Sequence, residues 1–166
     1  MTVNPELEKN NSILEQFKET RNRTLELVKN LENDDFVVQT AAYMSPPKWH
    51  IGHVSWIYEA IISKLDKNYE FHSKEFSEYL NSYYQQFGVP HDKALRGITS
   101  RPTVDEIFQY FNTINQKVEK FLESRELNEE EKKLIVTGFH KFFYFLINCI
   151  EILKNFINSW SGCNSS

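Results

Sequence analysis

Twice in its second half the chain sets a capping residue three positions ahead of a glutamate, Thr103 with Glu106 and Asn128 with Glu131, and each pair opens a long apolar-periodic run. In such a pair the cap side chain accepts from the backbone N–H three residues on, and the glutamate reaches back to the N–H of the cap. Two donors orphaned by a helix start are satisfied together. Glu129 and Glu130 add negative charge at the positive end of the second helix's dipole. The pattern predicts helices over residues 103–124 and 128–158.

Upstream, Ile13, Leu14, Phe17, Thr24, Leu25, Leu27, Val28 and Leu31 recur near helical spacing, which predicts a first helix over 13–31. Residues 32–44 read as a connector. Ser45 as a cap and Pro46 at the first helical position, where a missing N–H costs nothing, predict a second helix start. That helix carries Trp49, Ile51, Val54, Trp56, Ile57, Ala60, Ile61 and Leu65. Residues 66–74 read as a loop, 76–87 as a short aromatic-rich segment, and 88–101 as the longest surface loop, a common place for functional side chains. Strand-type alternation, a Gly-rich phosphate loop and internal repeats are all missing from the sequence. Four long helices with short-to-medium connections predict an all-α four-helix bundle, one domain over 13–158 with tails at 1–12 and 159–166.

Composition narrows the function classes. A chain of 166 residues with 40% hydrophobic content and 13 Phe, 8 Tyr and 3 Trp has ample material for a core, which argues against disorder. A net charge of −4 with scattered basic residues gives no electrostatic ground for binding nucleic acid or anionic lipid. Cys149 and Cys163 are too few for a disulfide framework, so a reduced cytoplasmic setting is expected, with Cys149 a buried small hydrophobe and Cys163 an exposed tail thiol. The first residues lack the basic-then-apolar pattern of a signal peptide. Residues 135–157 are apolar, yet His140, Lys141, Asn148, Glu151, Lys154 and Asn155 interrupt them, against a membrane span.

The run Ser45-Pro46-Pro47-Lys48-Trp49-His50-Ile51-Gly52-His53-Val54-Ser55-Trp56 carries the most chemistry. His50 and His53 are three apart on a helix and share a face. Two imidazoles that close can serve one metal site; a buried, hydrogen-bonded pair near the helix start is the other reading. His72 and His91 fall in expected loops and read as solvated.

This run, Asn81-Ser82-Tyr83-Tyr84, and Leu95-Arg96-Gly97-Ile98-Thr99-Ser100-Arg101-Pro102-Thr103 follow in order at workable spacing. Together, over about residues 15–136, they resemble the DinB-like domain of the ergothioneine-pathway iron sulfoxide synthases (hercynine oxygenases). The resemblance implies a DinB-like four-helix bundle joined to a larger C-terminal domain of formylglycine-generating-enzyme type. It also implies a non-haem iron held by three histidines that, with oxygen, joins a cysteine-containing thiol's sulfur to the imidazole of trimethylhistidine. His53 then corresponds to one iron ligand, with His50 beside it as a supporting residue. Lys93 and Arg96 correspond to basic residues that contact the thiol's carboxylates; Lys93 lacks the bidentate fork of the arginine usual there. Solvated loop charges are the alternative for both.

The family's other two ligands lie four apart in a Gly-x-x-His-Glu-x-Gln-His run on the last helix. Anchored on Gly138, this chain has Lys141 and Phe145 there; slid by one residue it has His140 and Tyr144. The resemblance therefore implies iron bound weakly or not at all, with His53 as the residual ligand and His50 and His140 as further possibilities. Agreement with the family stops abruptly after about Val136, as a frameshift in the coding DNA would cause. Three readings follow: a synthase half without a complete active site, a stand-alone DinB-like metalloprotein or thiol-dependent transferase, and a non-catalytic interaction module that self-associates through surface left by the missing domain.

Overall fold

The computed structural model describes residues 5–81 and 101–163. Its helices are α1 (Pro5–Val28), α2 (Pro47–Leu65), α3 (Lys74–Leu80), α4 (Val104–Ser124) and α5 (Glu129–Cys163), with a 3-10 turn at Asp35–Val37. Among the described residues there is no strand, so the fold is the expected all-α bundle. None of these helices is long and apolar enough to cross a membrane, among the described residues.

The contacts set the helix directions. Phe17 of α1 meets Tyr58 of α2 edge-on, and four residues later Arg21 bonds Ser55. Lys18 likewise pairs with Glu119 of α4, and Arg21 bonds Asn115. Partner numbers fall as α1 advances, so α1 is antiparallel to both α2 and α4. It follows that α2 and α4 are parallel: Lys48 reaches the Pro102 carbonyl at their starts, and Arg125 reaches the Leu65 carbonyl at their ends. A parallel pair cannot be joined by a tight turn, and residues 66–103, including α3, form the crossover. The last helix, α5, then runs back along α2 and α1. A Cβ at Gly138 would come within 2.3 Å of Ile61 Cδ1, which marks a close approach of α5 to α2.

Local starts follow the capping chemistry. Glu106 N–H donates to Thr103 Oγ1 at 3.2 Å and Thr103 N–H to Glu106 Oε2 at 2.7 Å. The reciprocal pair at Asn128 and Glu131 has both bonds at 2.9 Å. Ser73 caps α3 by accepting from Phe76 N–H, so the aromatic segment begins its helix earlier than its aromatics do and ends at Leu80. The α2 start is shifted by one residue from expectation: Pro46, not Ser45, is the N-cap, and Pro47 takes the first helical position. A proline forces its predecessor into extended backbone, and Pro46 sits at ψ 155°. In a Pro-Pro pair the second ring therefore opens the helix.

α1 begins at Pro5, ahead of Ile13 where apolar periodicity starts, and α5 continues to Cys163, past the expected helix end at residue 158. Glu- and Lys-rich turns hold helix without an apolar stripe, so periodicity does not mark them. The core is built on α2, which is buried nearly all round. Trp49, Ile51 and Trp56 pack with Phe17 of α1 and with Ile107, Tyr110, Phe111 and Ile114 of α4. Such a helix is normally apolar on every face. This one buries Lys48, His50, His53, Ser55 and Glu59 as well.

Candidate functional site

Two polar groups sit in this helix, one near each end. At the N-terminal end, His53 is 3% exposed, and its Nδ1 lies 2.6 Å from the Leu80 carbonyl oxygen. A carbonyl only accepts, so Nδ1 carries the proton and the neutral ring's lone pair is on Nε2. The Trp49 and Trp56 rings lie nearly parallel to the imidazole, with centroids at 4.5 and 5.9 Å. Trp49 Nε1–H donates to the Tyr79 carbonyl at 2.9 Å, and Lys48 Nζ donates to that of Pro102 at 3.2 Å. Burial holds the Lys48 ammonium below its usual pKa. His50 is also buried and meets Trp49 edge-on at 5.5 Å. Trp49 thus touches both imidazoles.

Toward the C-terminal end, Glu59 is fully buried. Its Oε1 accepts from Tyr69 Oη and from His72 N–H, each at 2.8 Å, and its Oε2 accepts from Tyr110 Oη. Lys117 Nζ stands 3.7 Å away. Burial, then the Glu59 charge, pushes the Tyr110 and Tyr69 hydroxyls well above the ordinary tyrosine range. On the α1 side, Arg21 bonds Asn115 Oδ1 at 2.6 Å and Ser55 Oγ at 2.7 Å, with its guanidinium 3.6 Å from the Phe111 ring centroid and 5.0 Å from that of Tyr58. Burial lowers the Arg21 pKa to about 10, against the raising influence of Tyr58 and Tyr110. Burial likewise pushes Tyr58 up to about 12, with Arg21 opposing.

The sequence pattern of the DinB superfamily matches residues 16–142, from α1 into α5, most of the chain. The protein belongs to the DinB superfamily. No curated protein matches it.

In this DinB-superfamily bundle His50 and His53 both occupy the interior, as their flanking aromatics predict. Lys93, Arg96 and His91 lie outside the described residues. His140 and Cys149 belong to α5, but their side chains lie outside the description. Tyr144 is 64% exposed, whereas His53 is buried. His72 is exposed in its loop, with its ring near Phe76 and Tyr110.

The iron that the sulfoxide-synthase resemblance implies needs three donors at one point. His53 has the tautomer a ligand needs, with the second nitrogen tied to a carbonyl as ligating imidazoles usually are. The same bond equally satisfies a structural histidine. Among the described residues no group of three His, Cys, Asp or Glu side chains is placed to hold a metal ion. The described donors thus do not fit a three-ligand site. Motif and spacing do not single out Glu59 or Arg21. A lone carboxylate inside the apolar run Trp56-Ile57-Tyr58-Glu59-Ala60-Ile61-Ile62 was the available signal, because a charge there must find partners.

Proposed function

We propose that this chain is the DinB-like half of an ergothioneine-pathway sulfoxide synthase whose iron site is incomplete, so that it does not form the carbon–sulfur bond by itself. What supports this reading is the histidine run of α2: His53 sits in an aromatic enclosure with Nδ1 tied to Leu80, while α5 offers Lys141 and Phe145 where imidazoles are needed. Gly138 meets Ile61, and α5 runs antiparallel to α2, so seven residues further along α5 brings position 145 to the level of Val54. Positions 141 and 145 are three and seven residues beyond Gly138 in the same helix. In this reading Lys93 and Arg96 hold the carboxylates of a cysteine-containing thiol. The iron, when bound, would supply oxygen activation; this chain contributes one imidazole and the thiol-facing charges. The larger formylglycine-generating-enzyme-like domain is the partner that the resemblance implies.

A second reading, a stand-alone DinB-like metalloprotein, is favoured by the His53 tautomer. Anaerobic titration with ferrous ion separates the two. The proposed function expects weak, substoichiometric binding. Tight stoichiometric binding lost in His53→Ala would overturn it in favour of the metalloprotein.

A further inference from the structure

The short helix α3 ends against the first turns of α2, and its last two residues meet two α2 side chains four positions apart. A helix turns the carbonyls of its last turn outward. That of Tyr79 accepts from Trp49 Nε1–H at 2.9 Å, and that of Leu80 lies 2.6 Å from His53 Nδ1. Between the two donors α2 carries Gly52. A Cβ at Gly52 would stand 2.7 Å from both Leu80 Cδ2 and Ile107 Cδ1, so the Leu80 side chain lies directly on the α2 backbone. Leu80 is fully buried there. One residue thus does two things: its side chain seats α3 on α2 and α4, and its carbonyl meets the imidazole.

A neutral histidine in water carries its ring proton mainly on Nε2. His53 carries it on Nδ1, because a carbonyl only accepts. The less favoured tautomer needs a partner that enforces it, and here the partner is the end of a seven-residue helix. Helices shorter than about 12 residues are marginal by themselves, so α3 keeps its place through contacts with the rest of the bundle. Phe76 packs its ring 4.8 Å from that of Tyr110, and Leu80 fills the notch at Gly52. The Trp49 ring lies against the imidazole, 17° from parallel with centroids 4.5 Å apart, while its N–H holds the carbonyl next to the one that His53 uses. We propose that α3 is a tautomer-setting element docked on α2, and that Trp49 and Leu80 are positioning residues that keep the proton of His53 on Nδ1. This setting belongs to the chain by itself, with no metal or thiol in play, so it stands or falls independently of the proposed function.

The test reads which ring nitrogen of His53 is protonated, from the nitrogen shifts in long-range NMR correlation spectra of the whole metal-free chain, at a pH where the ring is neutral. The His53 signals are those lost in His53→Gln. The unmodified chain should show the Nδ1–H form almost alone. Leu80→Ala empties the notch and leaves the carbonyl; Trp49→Phe removes the indole N–H and keeps an aromatic ring. Each should raise the share of the Nε2–H form on the order of tenfold, as expected when one buried hydrogen bond is weakened. Leu122→Ala is the control, since it truncates a likewise buried leucine near the far end of α4 and costs stability by the same mechanism away from the seat. A dominant Nε2–H form in the unmodified chain, an unchanged ratio in either seat variant, or an equal rise in Leu122→Ala overturns the proposal. If Leu80→Ala does not fold, Trp49→Phe decides.

Discussion

The two ends of α2 bury polar groups in opposite ways. Near the N-terminus, side-chain donors from Lys48, Trp49 and His53 go out to carbonyls of the crossover, and the aligned imidazole keeps its lone pair on Nε2. Near the C-terminus a single carboxylate draws donors in: two tyrosine hydroxyls, one backbone N–H and a lysine surround Glu59. The Glu59 cluster ties the first part of the crossover to α4, and its chemistry is spent on holding structure. At the histidine end, the bond to Leu80 orients the His53 ring and places the proton on Nδ1. A buried charge saturated from several elements is scaffold; a buried ring whose tautomer is set by a backbone carbonyl has the form a ligand needs.

The largest effect expected from this contrast is at Glu59. Glu59→Ala strands two hydroxyls and the His72 N–H, while Lys117 keeps its bond to the Glu70 carbonyl, and should cost about 3–5 kcal/mol in urea unfolding. A loss below about 1 kcal/mol would erase the distinction, since surface changes cost that little.

Next in size is a constructive change at the other end. Lys141→His with Phe145→His places imidazoles four apart on α5, the spacing that the resemblance implies for the other two ligands. Ferrous-ion affinity should rise by a factor on the order of ten or more, about 1.4 kcal/mol, and the gain should vanish when His53→Ala is added. A gain that survives His53→Ala would mean that the α2 imidazole is structural.

The smallest effect is on alkaline stability. Tyr58 is an acid whose folded pKa is raised from 10.0 to about 12, so its contribution is complete below 10.0 and is lost as pH rises through about 12. Tyr69 and Tyr110 shift in the same direction. Arg21 is a base lowered from 12.5 to about 10, so its burial penalty is relieved across the same window and offsets much of the Tyr58 loss. Net stability should fall modestly as pH rises past 10, and less in Tyr110→Phe than in the unmodified chain, as equilibrium unfolding at each pH would show. An equal or steeper fall in Tyr110→Phe would contradict the Glu59 cluster's role.

Much of the fold was legible because its signals are local. The Thr103 and Asn128 caps lie within four residues of their glutamates, and both form as the spacing predicts. Apolar periodicity located the buried parts of α1 and α4, but not the polar first turns of α1, which no burial rule marks. The Pro46-Pro47 start lies one residue beyond the Ser45 cap expectation because proline geometry governs there. At the site, the interior placement of His50 and His53 followed from their tryptophan neighbours. The Leu80 carbonyl that sets the His53 tautomer did not, since it arrives from another element, as do the partners of Glu59 and Arg21.

The parallel pairing of α2 with α4 also bears on how the chain reaches this arrangement. α2 packs mainly on α4 and α5, and α1 on the same two helices, so the principal helix pairs are not neighbours in sequence. Assembling them requires contacts such as that of Lys48 with Pro102, whose partners are 54 positions apart. Closing a loop of that size slows folding relative to a bundle in which every helix packs on the next. Once the loop is closed, its length matters little to equilibrium, since doubling it costs only about 0.6 kcal/mol. The crossover is therefore the stretch in which this architecture can accept inserted residues most readily, provided that the Tyr79, Leu80 and Pro102 carbonyls keep their donors from α2.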